Sequence, residues 1–173
     1  LGSSSLRREA FCNHYNKGFK LKPIRGNIET RIHKVLKGEV DATIMAEAGL
    51  KRLGLTQYIK TKFSTDYIYP AAGQGAIAII ARKDSNKKEV IQKLSDYVSF
   101  QEVLSEKSIL EEVGVGCQWP LGAISLFENK ELKLNSILLD KNGEMLFKTS
   151  ITGSIRDAKQ LGTSIGREML NYI

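Results

Sequence analysis

The chain has 173 residues, 42% hydrophobic and 26% charged, enough for one respectable core or two small ones and too apolar for disorder. Its 26 Lys+Arg against 19 Asp+Glu give a formal charge of +7, which favours anionic partners without choosing among nucleic acid, acidic small molecules and plain solubility. No run approaches the roughly 18 consecutive apolar residues of a membrane span, no basic-then-apolar leader opens the chain, and Cys12, Cys117, His14 and His33 are too scattered for a metal cluster or disulfide framework, so the expectation is a cytoplasmic protein.

Ser3, Ser4 and Ser5 before LRREAFCNHY predict a helix from near Leu6 to Tyr15, behind a strand of which little is present. LKPIR reads as a short strand, Gly26 and Asn27 as a turn and cap, and Ile28, Ile32, Val35 and Leu36 as one helical face ending at Gly38. Asp41 leads into ATIMA, an apolar run typical of a strand buried on both faces of a parallel sheet, and GLKRLG from Gly49 to Gly54 adds a helical turn. Past TKFSTD, Pro70, Gly73 and Gly75 punctuate the entry to an apolar strand from Ala76 to Ala81, read as a crossover between domains.

KKEVIQKLSD and SFQEVLSEKSILEEV read as two helices, the second with Val103, Ile109, Leu110 and Val113 as its apolar face and stopped by Gly114 and Gly116. AISLF, ELKLNSILL and MLFKTSIT are predicted strands, with turns at Glu128 to Lys130 and at DKNG, followed by a helix from Asp157 to Tyr172. The predicted class is α/β: a parallel-rich β-α-β domain over 1–69, a crossover strand and helix over 70–95, and a small α+β domain with a three-stranded antiparallel sheet over 96–173.

Two arginine clusters stand at equivalent places in this pattern. Arg7 and Arg8 fall in the first turn of a helix; Arg25 ends a strand and Arg31 lies in the first turns of the next helix. Strand ends and helix N-termini share one edge of a parallel sheet, where free N–H groups already favour anions and guanidinium forks add bidentate pairing. A ligand with several negative groups is one reading; solvated arginines, or ion pairs with Glu9 and Glu29, are the other, and on charge pattern alone the second is slightly favoured. The Gly73 to Gly75 pair lacks the third glycine and following helix of a phosphate loop, and the lysines do not interleave with exposed aromatics as a nucleic-acid surface requires.

Cys117 lies in VGVGCQWPLG, between glycines and Pro120, a loop setting that can expose a sulfur; with no basic partner or protease signature beside it, a structural thiol is the simpler reading from the residues alone. The joint order of SSLRR (Ser4 to Arg8), RGNIETR (Arg25 to Arg31), AGLKRLG (Ala48 to Gly54), PAAGQGAIAI (Pro70 to Ile79) and GCQWPLG (Gly116 to Gly122) changes the balance. Taken together, these five segments, covering nearly the whole chain, resemble the hydroxymethylbilane synthase (porphobilinogen deaminase) family.

That resemblance implies a transferase of tetrapyrrole (haem) biosynthesis that polymerises porphobilinogen, with loss of ammonia, on a dipyrromethane primer held by a thioether to the cysteine matching Cys117. It implies that Arg7, Arg8, Arg25 and Arg31 grip the acetate and propionate groups of primer and substrate, with Ser5 and Gly26 nearby and with Gln74 and Arg52 at positions near the same cleft. Cofactor binding thus falls to Cys117, Ser5, Arg7, Arg8, Arg25, Gly26 and Gln74, and substrate binding to Arg25, Arg31 and Arg52. It further implies that the β-α-β domain over 1–69, like the domain before it, is periplasmic-binding-protein-like in fold, and it implies a monomer, no metal, no nucleic-acid or membrane partner, and a preceding segment carrying the catalytic aspartate. The chain alone is therefore expected to be inactive, and its segment 76–81 to be displaced or paired elsewhere. Glu47 places a negative charge beside the expected anion edge, where facing the cleft it would weaken the assignment of Arg52, and Trp119 is bulkier than the pattern suggests. The competing class is a non-enzymatic binding module for a polycarboxylate, which needs the arginines but not a loaded cysteine.

Overall fold

Gly2 sits where three chain segments meet. In the computed structural model, which describes residues 1–15, 18–114 and 119–173, Gly2 forms isolated parallel bridges to Lys22 on one side and Thr43 on the other. Its N–H donates to Ala42 at 2.7 Å, while Lys22 N–H donates to Leu1 and Ser3 N–H to Lys22, both at 3.0 Å. A side chain at this position would stand 3.1 Å from Ile24 and 3.2 Å from Val40, so a glycine lets the three segments close.

Each segment runs on into a helix: α1 (Leu6–Tyr15), α2 (Ile28–Leu36) and α3 (Glu47–Arg52). The three helices therefore begin at one edge. Asn27 starts α2 by accepting from Thr30 N–H at 2.8 Å and Thr30 hydroxyl at 2.7 Å. The serines before α1 act differently from the expected cap: Ser4 Oγ donates to Ile24 O at 2.9 Å and accepts from Ile24 N–H at 3.0 Å, pairing with the neighbouring segment instead of the helix.

The predicted parallel strands LKPIR and ATIMA are present here in reduced form, each as a single parallel bridge. Among the described residues the parallel pairing is limited to the two bridges at Gly2, and Ile44 and Met45 are half-buried, not enclosed on both faces. The apolar run Ala76 to Ala81 is not a strand here; Ile77, Ile79 and Ile80 are 73%, 53% and 92% exposed, because nothing among the described residues pairs with its backbone.

The second half follows its hydrophobic pattern closely. After the short α4 (Lys88–Gln92) comes α5 (Tyr97–Val113), begun by Asp96, which accepts from Ser99 N–H at 2.8 Å, and ended at Gly114. Three antiparallel strands, β1 (Leu121–Glu128), β2 (Glu131–Leu139) and β3 (Met145–Gly153), pair in sequence order, and α6 (Ala158–Met169) returns beside α5. Asn129 and Lys130 take left-handed conformations that form the tight β1–β2 turn. The three-stranded antiparallel sheet with helices is the α+β arrangement expected for this region.

β2 explains how the halves join. Its even positions, Leu134 and Leu138, pack with Ile109 of α5 and with Ile165 and Met169 of α6. Its odd positions, Ile137 and Leu139, meet Ala10 and Phe11 of α1 together with Tyr69. Complete burial of one such side chain is worth about 1.5–3 kcal/mol, so β2, buried on both faces, joins the second core, that of α5, α6 and the sheet, to a separate cluster under α1. His14 and Asn13 extend the contact: Nδ1 of His14 lies 2.7 Å from Gly143 O and Nδ2 of Asn13 donates to Lys141 O at 3.3 Å.

Candidate functional site

The edge where α1, α2 and α3 begin gathers the predicted arginines. Arg8 is half-buried and donates from Nη1 to Ile44 O, at the junction before α3, at 2.9 Å. Arg31 donates from Nε to Gly26 O at 2.8 Å, which turns its guanidinium back over the start of α2. Burial and then the charge of Arg31 push the Arg8 guanidinium below its ordinary value, although an arginine remains protonated at any physiological pH. Arg25 and Gly26 are exposed on the turn between them, and Ser5 is half-buried at the start of α1.

Two neighbouring cations at helix N-termini repel each other and the local dipoles. Among the described residues no carboxylate lies in ion-pair range of Arg8, Arg25 or Arg31, so the alternative of pairing with Glu9 and Glu29 is not what the chain adopts. Glu47 is also accounted for. Its carboxylate lies 2.8 Å from Lys62 and 3.0 Å from Lys51, and hydrogen bonds from those two lysines hold it below the usual carboxylate range. Its charge is thus met by two lysines.

Arg7 points elsewhere. It is buried and donates to the Tyr69 carbonyl and, from Nη2 at 3.3 Å, to Gln74 Oε1. Arg52, which is exposed, donates from Nη2 to Gly75 O at 2.6 Å. Both therefore hold the segment from Tyr69 to Gly75, which on its other side accepts Ala123 N–H of β1 at Pro70 O, 3.1 Å away. The structure brings Arg8 and Arg31 together at one edge and ties Arg7, Gln74 and Arg52 to this adjoining strap.

Cys117 lies outside the described residues, in the connection between α5 and β1. Cys12, the other thiol, is buried under α1, and burial pushes its pKa up, which disfavours the thiolate a covalent attachment needs. Trp119 packs against the core of α5, α6 and the sheet, so its bulk is accommodated. A group bearing several carboxylates and attached through one sulfur fits this donor set, because it supplies the negative charge the arginine edge lacks.

Sequence reasoning did not single out the Tyr69 carbonyl, the Ile44 carbonyl or the buried Glu106 of α5. Backbone acceptors leave no sequence signal. Glu106 did leave one, since it falls three residues after Val103 and three before Ile109 on the predicted apolar face.

Residues 1–90 match the family model described as porphobilinogen deaminase, dipyromethane cofactor binding domain, and residues 100–171 match porphobilinogen deaminase, C-terminal domain. The chain is 53% identical over its whole length to a probable porphobilinogen deaminase of Methanothermobacter thermautotrophicus, covering 60% of that protein. It is 39% identical to a probable porphobilinogen deaminase of Nitrosopumilus maritimus and 39% identical to a porphobilinogen deaminase of Acetivibrio thermocellus, in each case over 98% of this chain and over 54% and 58% of the relatives. It thus spans somewhat more than half the length of these relatives. With both halves matched in order and the cofactor-domain model alone covering more than half of its residues, the chain belongs to the porphobilinogen deaminase family.

Proposed function

We propose that this chain supplies the carboxylate-gripping edge and the cofactor-bearing loop of an enzyme that joins porphobilinogen units into hydroxymethylbilane. The observation that carries the reading is the half-buried Arg8 beside Arg31, two cations at one edge with no carboxylate among the described residues to neutralise them. Bound through a thioether to Cys117, a dipyrromethane supplies the pyrrole end from which the product chain grows.

The residues here do positional work. Arg8, Arg25 and Arg31 hold acetate and propionate groups by charge-assisted hydrogen bonds, fixing each pyrrole ring in reacting geometry without taking part in bond making. Ser5 and Gly26 line the same edge. Arg7, Gln74 and Arg52 fix the strap beside it, so their part is to keep the neighbouring backbone in place as well as to present charge. Proton transfer falls to the portion of the relatives' length this chain does not span. Residues 1–69, 70–95 and 96–173 form the second domain, the crossover and the cofactor-cysteine domain; the boundary near 95 falls between the two family-model matches, 1–90 and 100–171. The complete protein acts as a cytoplasmic monomer on a small-molecule substrate, with no nucleic-acid or membrane partner; among the described residues no helix is long and apolar enough to cross a membrane.

Intact mass spectrometry of the full-length protein tests the reading. One added dipyrromethane is expected on the native protein and none on Cys117→Ala. Arg8→Ala and Arg31→Ala should each lower kcat/KM for porphobilinogen by roughly 10- to 100-fold, the loss of one charged hydrogen-bonding partner at about 1.5–3 kcal/mol. An unmodified Cys117 thiol in a folded full-length protein that still binds polycarboxylates would instead mark a binding module.

A further inference from the structure

The strap from Tyr69 to Gly75 is gripped by Arg7 and Arg52 from the arginine side, and something must grip it from the other. That role falls to a carboxylate in the interior of the second core. Glu106, midway along α5, is 7% exposed. Its Oε2 accepts Gly73 N–H at 2.6 Å. Its Oε1 accepts Ser125 N–H of β1 at 2.8 Å and lies 2.9 Å from the Ser125 hydroxyl. One side chain therefore joins three segments: the turn after Pro70, the helix before Cys117 and the strand after it.

The chemistry of the arrangement is unusual for a purely structural contact. A buried carboxylate is expensive, and burial is the larger influence on Glu106, pushing its pKa up against the hydrogen bonds from Gly73 and Ser125 that favour the charged form. A leucine or methionine at this place on the apolar face of α5 would avoid that cost. What an apolar side chain cannot do is accept two backbone N–H groups from two different segments. Gly73 completes the fit: its φ of +75° suits glycine, and a Cβ there would stand 3.1 Å from the Lys107 stem and 3.5 Å from Val103, so the turn lies flat on α5.

Resting on the functional reading above, we infer that Glu106 is a positioning residue: it clamps the Gly73–Gly75 turn to α5 and β1 and so fixes the strap that Arg7 and Arg52 hold. The neighbouring residue of the turn, Gln74, is the one that meets Arg7, and Gly75 is the one that meets Arg52, so a shift at Gly73 passes directly to both.

The test uses the full-length protein with Glu106→Gln, which offers one acceptor oxygen where two are needed and presents N–H₂ to a backbone N–H. Amide exchange at residues 73–75, measured on the Cys117→Ala background so that no cofactor is attached, should accelerate at least about tenfold. On the intact Cys117 background, kcat/KM for porphobilinogen should fall by about 10- to 100-fold at a temperature where the variant is fully folded. Leu132→Ala, a buried β2 change away from the strap with a matched fall in melting temperature, should change neither. If Glu106→Gln does not fold, Glu106→Asp, too short to span both segments, should free either the Gly73 or the Ser125 amide while keeping the charge. Wild-type exchange at residues 73–75 in a folded variant, or the same kinetic loss in Leu132→Ala, overturns the inference. A native protein that turns over no porphobilinogen removes the functional reading, while the exchange measurement still decides the clamp by itself.

Discussion

Asp96 shows how one exposed side chain can be read through its hydrogen bonds. It accepts from Ser99 N–H at the start of α5, and that bond, aided by the Ser99 side chain, holds its carboxyl below the usual aspartate range. A carboxyl lowered in the folded state stabilises the fold above its unfolded pKa, and that contribution disappears as pH falls through the folded value. Asp96→Ala should therefore melt below the native chain at pH 7, with the gap closing as the pH falls below the ordinary aspartate value of about 3.9, a comparison that thermal denaturation across pH reads directly. At this scale the sequence was informative about identity and less so about direction. The four arginines were legible from SSLRR and RGNIETR, but Arg7 and Arg8 are adjacent on a helix and diverge, Arg7 into the strap and Arg8 towards Arg31. Adjacent helical positions point about 100° apart, so which of two arginines meets the ligand edge depends on what packs behind the helix.

The pairing of α5 with α6 depends on small residues. Gly162 faces Ser105 and Ser108 so closely that a Cβ added there would lie 2.1 Å from Ser105 O and 2.7 Å from Ser108 Cβ. Backbone on both sides leaves little room to adjust. Gly162→Ala should cost about 1–3 kcal/mol in urea unfolding despite alanine's better helix propensity, and a gain in stability would show that the helices are free to move apart. The strands of this half were readable because alternation in ELKLNSILL fixes faces before any contact is known, and its unbroken end, SILL, marks where the strand becomes buried on both sides. LKPIR and ATIMA were legible as to direction, since each meets Gly2 in a parallel bridge, but an apolar run states only that burial is available and not how far a ladder extends.

Across the whole molecule, the apolar segment 76–81 is the feature least at home. Ile77, Ile79 and Ile80 face solvent, in a chain that covers 60% and 54% of the lengths of two of its relatives. The chain by itself should bind a hydrophobic dye such as anilinonaphthalene sulfonate, and the full-length protein should bind much less per molecule. Equal binding by the two would show that this segment stays uncovered. The sequence revealed the family because its motifs are contiguous stretches of chain, whereas the clamp at Glu106 and the strap contacts join residues far apart in order and became visible only in three dimensions. One more property of the molecule follows from its composition and core. The chain contains a single tryptophan, and that residue, Trp119, sits against the second core two positions beyond the cysteine. Its ultraviolet emission is therefore a built-in optical gauge of how that core is packed, readable without any added label.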